Sequence, residues 1–280
     1  MKTSEFENVG YEVRDHVAVV TLNRPDRRNA WDGAMAVEYR WALHHADTDP
    51  QVGVVLLTGA GDMFCVGADA GTLSDVDRTG GYVRARAELP PYPADAPAGM
   101  RHNHTYPLAL SVPVIAAING PCAGAGFVLA CFADIRLAAD NTKITPSFAG
   151  LGLPAEYGIG WILPRICGTQ NAAEILMTNA VMTTAEAKEL GFVRRSYPRE
   201  TFPECAFEYA RGIARHSSPA SLAAIKRQLY VDAEADLDQA YLSSVSAMNA
   251  MVAGPDFRTG LRAMRAKQRP WFLGDPAAEA

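Results

Sequence analysis

Apolar residues along this chain keep two different rhythms. Up to about residue 200 they gather in short runs: Val17-Ala18-Val19-Val20-Thr21-Leu22, Val54-Val55-Leu56-Leu57-Thr58, Val112-Pro113-Val114-Ile115-Ala116-Ala117-Ile118 and Ile135-Arg136-Leu137-Ala138. Runs of this length and type read as strands. Tyr11-Glu12-Val13-Arg14 pairs with the first of them around an Asp15-His16 turn. Asp32 caps a helix running to about Asp47, with Met35, Tyr39, Ala42 and Ala46 at helical spacing. This strand–strand–helix–strand rhythm recurs around the Val114 run and predicts an α/β layered core.

From about Thr201 the spacing is helical throughout. Leu222, Ile225 and Leu229, then Leu242, Val245, Met248 and Met251, mark apolar faces, with breaks at Ser217-Ser218-Pro219 and Gly254-Pro255. Helices gathered after an α/β core read as a lid or an assembly module. Residues 75 to 107 differ from both parts. Gly80-Gly81, Pro90-Pro91-Tyr92-Pro93, Pro97 and Gly99 make a long irregular segment, with room for one short helix from Tyr82 to Leu89. Loops this long are often lids or binding loops. A lid over a pocket and a mobile surface insertion both fit.

Two glycine-bearing segments stand out. Phe64-Cys65-Val66-Gly67-Ala68-Asp69-Ala70 follows the Val54 strand. Asn119-Gly120-Pro121-Cys122-Ala123-Gly124-Ala125-Gly126 follows the Val114 strand and leads into an apolar stretch of helical length. A strand–glycine–helix junction exposes unpaired N–H groups at a helix N-terminus, where the dipole favours negative charge. Two junctions aimed at one point can hold an oxyanion, which suits chemistry on an acyl carbonyl.

Bulk properties narrow the class. A chain of 280 residues can bury a large core, and 49% hydrophobic with 20% charged residues fits a globular protein. A formal net charge of −5 gives no support for nucleic-acid binding. No Asp, Glu, Lys or Arg occurs between Arg101 and Asp134, a length that could span a bilayer, but Asn119-Gly120-Pro121 breaks it midway. A buried strand, loop and helix is the better account. Met1 to Phe6 has no apolar signal core, so a cytoplasmic protein is expected. The five cysteines (Cys65, Cys122, Cys131, Cys167 and Cys205) form no CxxC pair and read as reduced, mostly buried thiols. Cys65 and Cys122, beside the glycine segments, read as small wall residues rather than nucleophiles.

The order and spacing of five motifs carry a family resemblance. They are Thr21-Leu22-Asn23-Arg24-Pro25, Arg28-Asn29-Ala30, Val66-Gly67-Ala68-Asp69, Asn119-Gly120 with Gly124 and Gly126, and Leu163-Pro164-Arg165 with Gly168. Together they resemble the crotonase (enoyl-CoA hydratase/isomerase) superfamily over roughly residues 9 to 272. The resemblance implies a ββα spiral core (1–200) that binds an acyl-CoA thioester in a bent pose, then a helical trimerisation region (201–280). It implies a homotrimer or dimer of trimers, no metal, and no cofactor beyond the coenzyme A of the substrate. The thioester oxygen would sit on the N–H groups of Ala68 and Gly124. Ala30, Gly67, Asp69, Ala70, Cys122 and Ser147 would line the substrate, although Asp69 also reads as a structural residue that holds its loop through backbone N–H groups. Arg28, near Arg24 and Arg27, would face the nucleotide, and Lys267 would reach a neighbouring subunit's coenzyme.

One departure matters most. Hydratases of this type activate water with two glutamates, and the matching positions are Val128 and Ser147. Neither exchanges a proton near neutral pH. Glu156 matches the acid that dienoyl-CoA isomerases and the chlorobenzoyl-CoA dehalogenase type carry at a helix entrance. Among Leu153, Tyr157 and Trp161 its pKa should rise toward proton-transfer range. Its bland alternative is an acid decorating a helix N-terminus. His102 and His104 read as solvated loop histidines. The expected chemistry is double-bond isomerisation or another single-carboxylate proton transfer. Alternatives are a hydratase using Glu156 alone, a silent acyl-CoA binder, and a thioester or C–C hydrolase.

Overall fold

The computed structural model describes residues 1–80 and 87–274. Asp15 and His16 both take left-handed backbone angles (φ 49 and 66). Such a two-residue turn matches the twist of the strands it joins. Strand β1 (Val9–Arg14) therefore folds back antiparallel on β2 (Val17–Leu22), with Val13 opposite Ala18. Helix α1 (Gly33–Thr48) begins where the Asp32 carboxylate accepts a hydrogen bond from the Met35 N–H at 2.9 Å. It leads to β3 (Val54–Gly59), parallel to β2.

Helix α2 (Ala70–Thr79) follows, so residues 75–79 are helical rather than part of an irregular segment. Of the short helix expected at 82–89, residues 82–86 lie outside the described residues and 87–89 are irregular. Next come β4 (Val114–Ile118), β5 (Cys122–Ala123), α3 (Ala125–Cys131), β6 (Ile135–Ala139) and β7 (Lys143–Thr145). After them lie α4 (Ile159–Cys167), α5 (Thr169–Met177), β8 (Met182–Thr183), α6 (Thr184–Glu189) and β9 (Arg195–Tyr197). The chain closes with α7 (Phe202–His216), α8 (Pro219–Tyr230), α9 (Leu237–Val252) and α10 (Pro255–Arg265). The main sheet runs β1-β2-β3-β4-β6-β9, parallel from β2 onward; β5, β7 and β8 form a smaller sheet beside it.

The continuous apolar runs have a simple cause: both faces of the main sheet are covered. Val55, Leu57, Ala116, Ile118 and Ala138 point into the larger core with Met35, Tyr39, Ala42 and Leu43 of α1. Val54, Leu56, Ile115, Ala117, Leu137 and Ala139 point the other way, onto Phe202, Ala206, Phe207, Ala210 and Ala214 of α7. Helix α7 thus belongs with the spiral core, although it lies beyond residue 200. The region that stands apart begins with α8. Lys226 of α8 is buried and reaches back to Asp134 Oδ2 (2.8 Å) and the Val112 carbonyl (2.9 Å). Helices α9 and α10 bury none of their residues, and Leu237, Tyr241, Leu242, Met248 and Met264 are exposed.

The described part of the 87–109 segment is packed rather than projecting. Met100, Tyr106 and Leu108 are in the core. Arg40 of α1, wholly buried, lies between the rings of Tyr92 (4.2 Å) and Tyr106 (3.5 Å) and donates to the Pro90 carbonyl. Trp41 donates to the Glu88 carbonyl.

Candidate active site

The two glycine segments interlock backbone against backbone. The Asn119 side-chain amide donates to the carbonyls of Gly59 (2.9 Å) and Gly61 (2.8 Å), and its oxygen accepts from the Gly59 N–H. A side chain on Gly126 would put its Cβ 2.3 Å from the Cys65 carbonyl oxygen, and one on Gly120 would lie 1.8 Å from that of Asp62. Only glycine fits there. The backbones of Cys65 and Cys122 pair as an isolated parallel β-bridge, both thiols being free, and the Gly124 Cβ position lies 3.3 Å from Gly67 Cα. The two junctions meet at Gly67 and Gly124.

Their N–H groups differ in what they do. Gly67 accepts from the Trp31 N–H (2.7 Å), and Asp69 donates to the Trp31 carbonyl (2.9 Å), so Ala68 between them turns its N–H away from Trp31. That N–H has no hydrogen-bond partner among the described residues. On the second segment the Gly124 N–H donates to the Thr145 carbonyl at 3.3 Å, because β5 pairs with β7 at Ala123–Thr145. The expectation that Gly124 offers its N–H to a ligand is therefore corrected. The unpartnered donor is the next one, Ala125, first residue of α3. Gly124, at φ 51 and ψ −117, makes the reversal that exposes it.

Aromatic contacts lead from the first junction to Glu156. Trp31, bridged to Ala68, lies 5.9 Å from the His104 ring, and His104 lies against Tyr157 at 4.0 Å between centroids. Glu156 opens a single 3₁₀ turn (Glu156–Gly158) set off from α4 by left-handed Tyr157 (φ 52) and Gly158 (φ 86), so the expected helix starts at Ile159. The Glu156 side chain is half-buried, makes no hydrogen bond among the described residues, and has its pKa raised by burial. His104, expected as a solvated loop histidine, is instead half-buried. Its Nε2 is enclosed without a partner, and burial pushes its pKa down to about 4. Apolar neighbours far along the chain produced that environment, so no local pattern revealed it.

Comparison with known proteins turns this geometry into an assignment. A family model for enoyl-CoA hydratase/isomerase matches residues 12–275. The chain belongs to the enoyl-CoA hydratase/isomerase family. It is 33% identical to a 1,2-epoxyphenylacetyl-CoA isomerase of Escherichia coli, covering 94% of this chain and 97% of that one. It is 31% identical to a protein of Mycobacterium tuberculosis named probable enoyl-CoA hydratase, covering 94% and 91%. An enoyl-CoA hydratase structure from Bacillus anthracis superposes with a TM-score of 0.81 at 27% identity, covering 96% of this chain and all of that one (100%). The fold is the crotonase fold, and this is a member of an acyl-CoA enzyme family.

Within this family setting the remaining candidates separate. Val128, which motif matching set at the first glutamate position, lies on α3 and is wholly buried in the core. Ser147 (φ 61) is half-buried beside the second junction, its Oγ 3.5 Å from Thr145 Oγ1. Ala30 and Gly67 lie on the Trp31–Ala68 ladder. Cys122 is not a wall residue: it is completely buried, and desolvation drives its thiol pKa well up. Asp69 is already committed. It caps α2 by accepting from the Gly71 N–H and pairs with Arg24 at 3.1 Å, and these hold its pKa below the usual carboxylate range. Ala70 is exposed at the start of α2. Arg24 also donates to the Ala30 carbonyl and pairs with Asp32 (2.8 Å), which leaves Arg28 as an exposed arginine on a left-handed turn. Lys267 is exposed just past α10, with φ 55.

Proposed function

We propose that this protein is an acyl-CoA enzyme that stabilises a thioester enolate and moves one proton with one carboxylate, shifting a double bond. The thioester oxygen accepts from the Ala68 and Ala125 N–H groups, which replaces the Ala68–Gly124 pair suggested by motif matching. Placing two fixed donors where charge develops stabilises the transition state more than the ground state. Glu156 takes a proton from the α or γ carbon, and electron density moves through the enolate to the oxygen. The protonated acid then returns the proton to the other carbon, and the bond order shifts with no net change in atoms.

The observation that carries this reading is the contrast among three positions. Val128 is a buried hydrocarbon and Ser147 cannot titrate near neutral pH, whereas Glu156 is a half-buried carboxylate with no hydrogen-bonding partner among the described residues and with a raised pKa. A raised pKa brings a carboxylate toward the range where it both accepts and releases a proton. The protein should therefore be a poor hydratase for crotonyl-CoA, since water lacks its two usual anchors. Losing positioned acid/base catalysis typically costs about 10² to 10⁴-fold.

Proton exchange in deuterated water over a panel of enoyl- and dienoyl-CoA esters tests the reading. Glu156→Gln should lose all exchange. Exchange that survives in that variant rejects Glu156 as the base, and robust crotonyl-CoA hydration rejects the rate claim. The uncovered apolar residues of α8 to α10 support assembly into trimers. Light scattering on the purified protein should return a mass of three or six chains; a monomer at micromolar concentration would sink that part.

A further inference from the structure

We propose that His104 is a substrate-binding residue that recognises an oxygen substituent on the acyl group. The preferred substrates are then acyl-CoA esters bearing a hydroxyl, oxo or epoxide oxygen rather than plain hydrocarbon chains. This rests on the reading that the acyl group lies between Ala68 and Glu156.

The position comes first. His104 touches Trp31, which is bridged to Ala68, and Tyr157, which follows Glu156. It therefore sits in the wall between the proposed donor and the proposed base. Its lack of partners comes second. His16, His45 and His216 each place a ring nitrogen 2.9, 2.9 and 2.7 Å from a backbone carbonyl. His104 has no such bond among the described residues, and its Nε2 is enclosed. A buried polar atom without a partner is costly and calls for an explanation. A ligand that supplies the missing bond is one.

The chemistry of the ring narrows the ligand. With its pKa pushed down to about 4, the imidazole is neutral at working pH. One nitrogen then donates and the other accepts. A hydroxyl can meet either nitrogen, and an oxo or epoxide oxygen can meet the donor. A carboxylate gains no ion pair here, and an alkyl chain leaves the nitrogen unpaired. Sites built to bond a substrate oxygen discriminate strongly against analogues that lack it. The Tyr157 ring lies against His104 from a left-handed backbone and is itself 40% exposed, so this part of the wall reaches the surface.

Calorimetric binding of butyryl-CoA, 3-hydroxybutyryl-CoA, 4-hydroxybutyryl-CoA and acetoacetyl-CoA tests the proposal. At least one oxygenated ester should bind about tenfold or more tightly than butyryl-CoA, the effect of one hydrogen bond of ordinary strength. His104→Phe should erase that preference while leaving butyryl-CoA affinity within about twofold. The ¹⁵N signal of the His104 ring should move with the preferred ester and not with butyryl-CoA. Equal binding of all four esters by the wild type overturns the proposal, as does a preference that persists in His104→Phe. If that variant does not fold, an unmoved ¹⁵N signal in the wild type overturns it equally. Failure of all four to bind would instead defeat the acyl-CoA reading itself.

Discussion

The floor and the wall of this site are built on different principles. The floor is backbone: Asn119 ties Gly59 and Gly61, and glycines at 120 and 126 sit where a Cβ would strike a carbonyl oxygen. Little there can change without moving the chain. The wall is side chain: Trp31, His104 and Tyr157 come from three distant segments and meet through ring contacts, and Glu156 precedes Tyr157. Neither the His104 nor the Glu156 side chain is held by a hydrogen bond among the described residues. A rigid floor suits what every acyl-CoA ester shares, the thioester oxygen. A wall whose His104 and Glu156 side chains make no hydrogen bond among the described residues suits what differs between esters. The relatives carry different reaction names, isomerase and hydratase, on one fold.

The largest expected effect therefore belongs to the floor. In Gly126→Ala the new methyl meets the Cys65 carbonyl oxygen at 2.3 Å and the Cys65 Cβ at 2.8 Å, both inside the fully buried junction. No flexible side chain can yield to it. A loss of about 4 kcal/mol or more, seen as insoluble protein or a collapsed melting transition, is expected. A variant that melts like the wild type would show that the junction is not rigid, and the comparison would lose its first half.

Second comes a change that keeps the floor but silences one donor. Ala125 is the first residue of α3, a position where proline suits the backbone. Ala125→Pro deletes the unpartnered N–H and puts ring carbons in its place. Turnover should fall about 10²- to 10³-fold, the usual loss for one oxyanion donor, with the melting temperature little changed. Normal turnover in a folded variant would return the donor role to Gly124.

These two halves were not equally legible in the sequence. The hairpin at Asp15-His16, the Asp32 cap, the strands and both junctions followed from local pattern, because each depends on residues adjacent in the chain. Helix α7 was assigned outside the core because its helical period says nothing of which sheet face needs covering. The donor was misplaced by one residue for a related reason. Whether Gly124 or Ala125 keeps its N–H depends on the β5–β7 pairing with Thr145, twenty residues on. Cys122 read as a wall residue from its neighbours, yet the packing closes over it. His104 read as solvated because it lies among polar loop residues. The aromatic rings that enclose it come from residues 31 and 157.

The smallest expected effect concerns the wall and has a definite sign. Burial raises the Glu156 carboxyl pKa above its ordinary 4.5, so the folded protein keeps that proton to higher pH than the unfolded chain does. The group's contribution to stability is then fully present below the unfolded pKa and is lost as pH rises through the folded value. Above that folded value the wild type carries an ionised, half-buried carboxylate that Glu156→Gln does not. There the variant should melt slightly higher, by a small margin for so partly exposed a group, and the gap should shrink toward pH 4. Activity should move oppositely, because a base must be ionised: proton exchange by the wild type should rise with pH along a limb lying above 4.5. A melting difference that stays constant from pH 4 to pH 8 would show that Glu156 is not desolvated. An exchange limb at or below 4.5 would then remove the reason for treating this carboxylate as different from any acid on the surface.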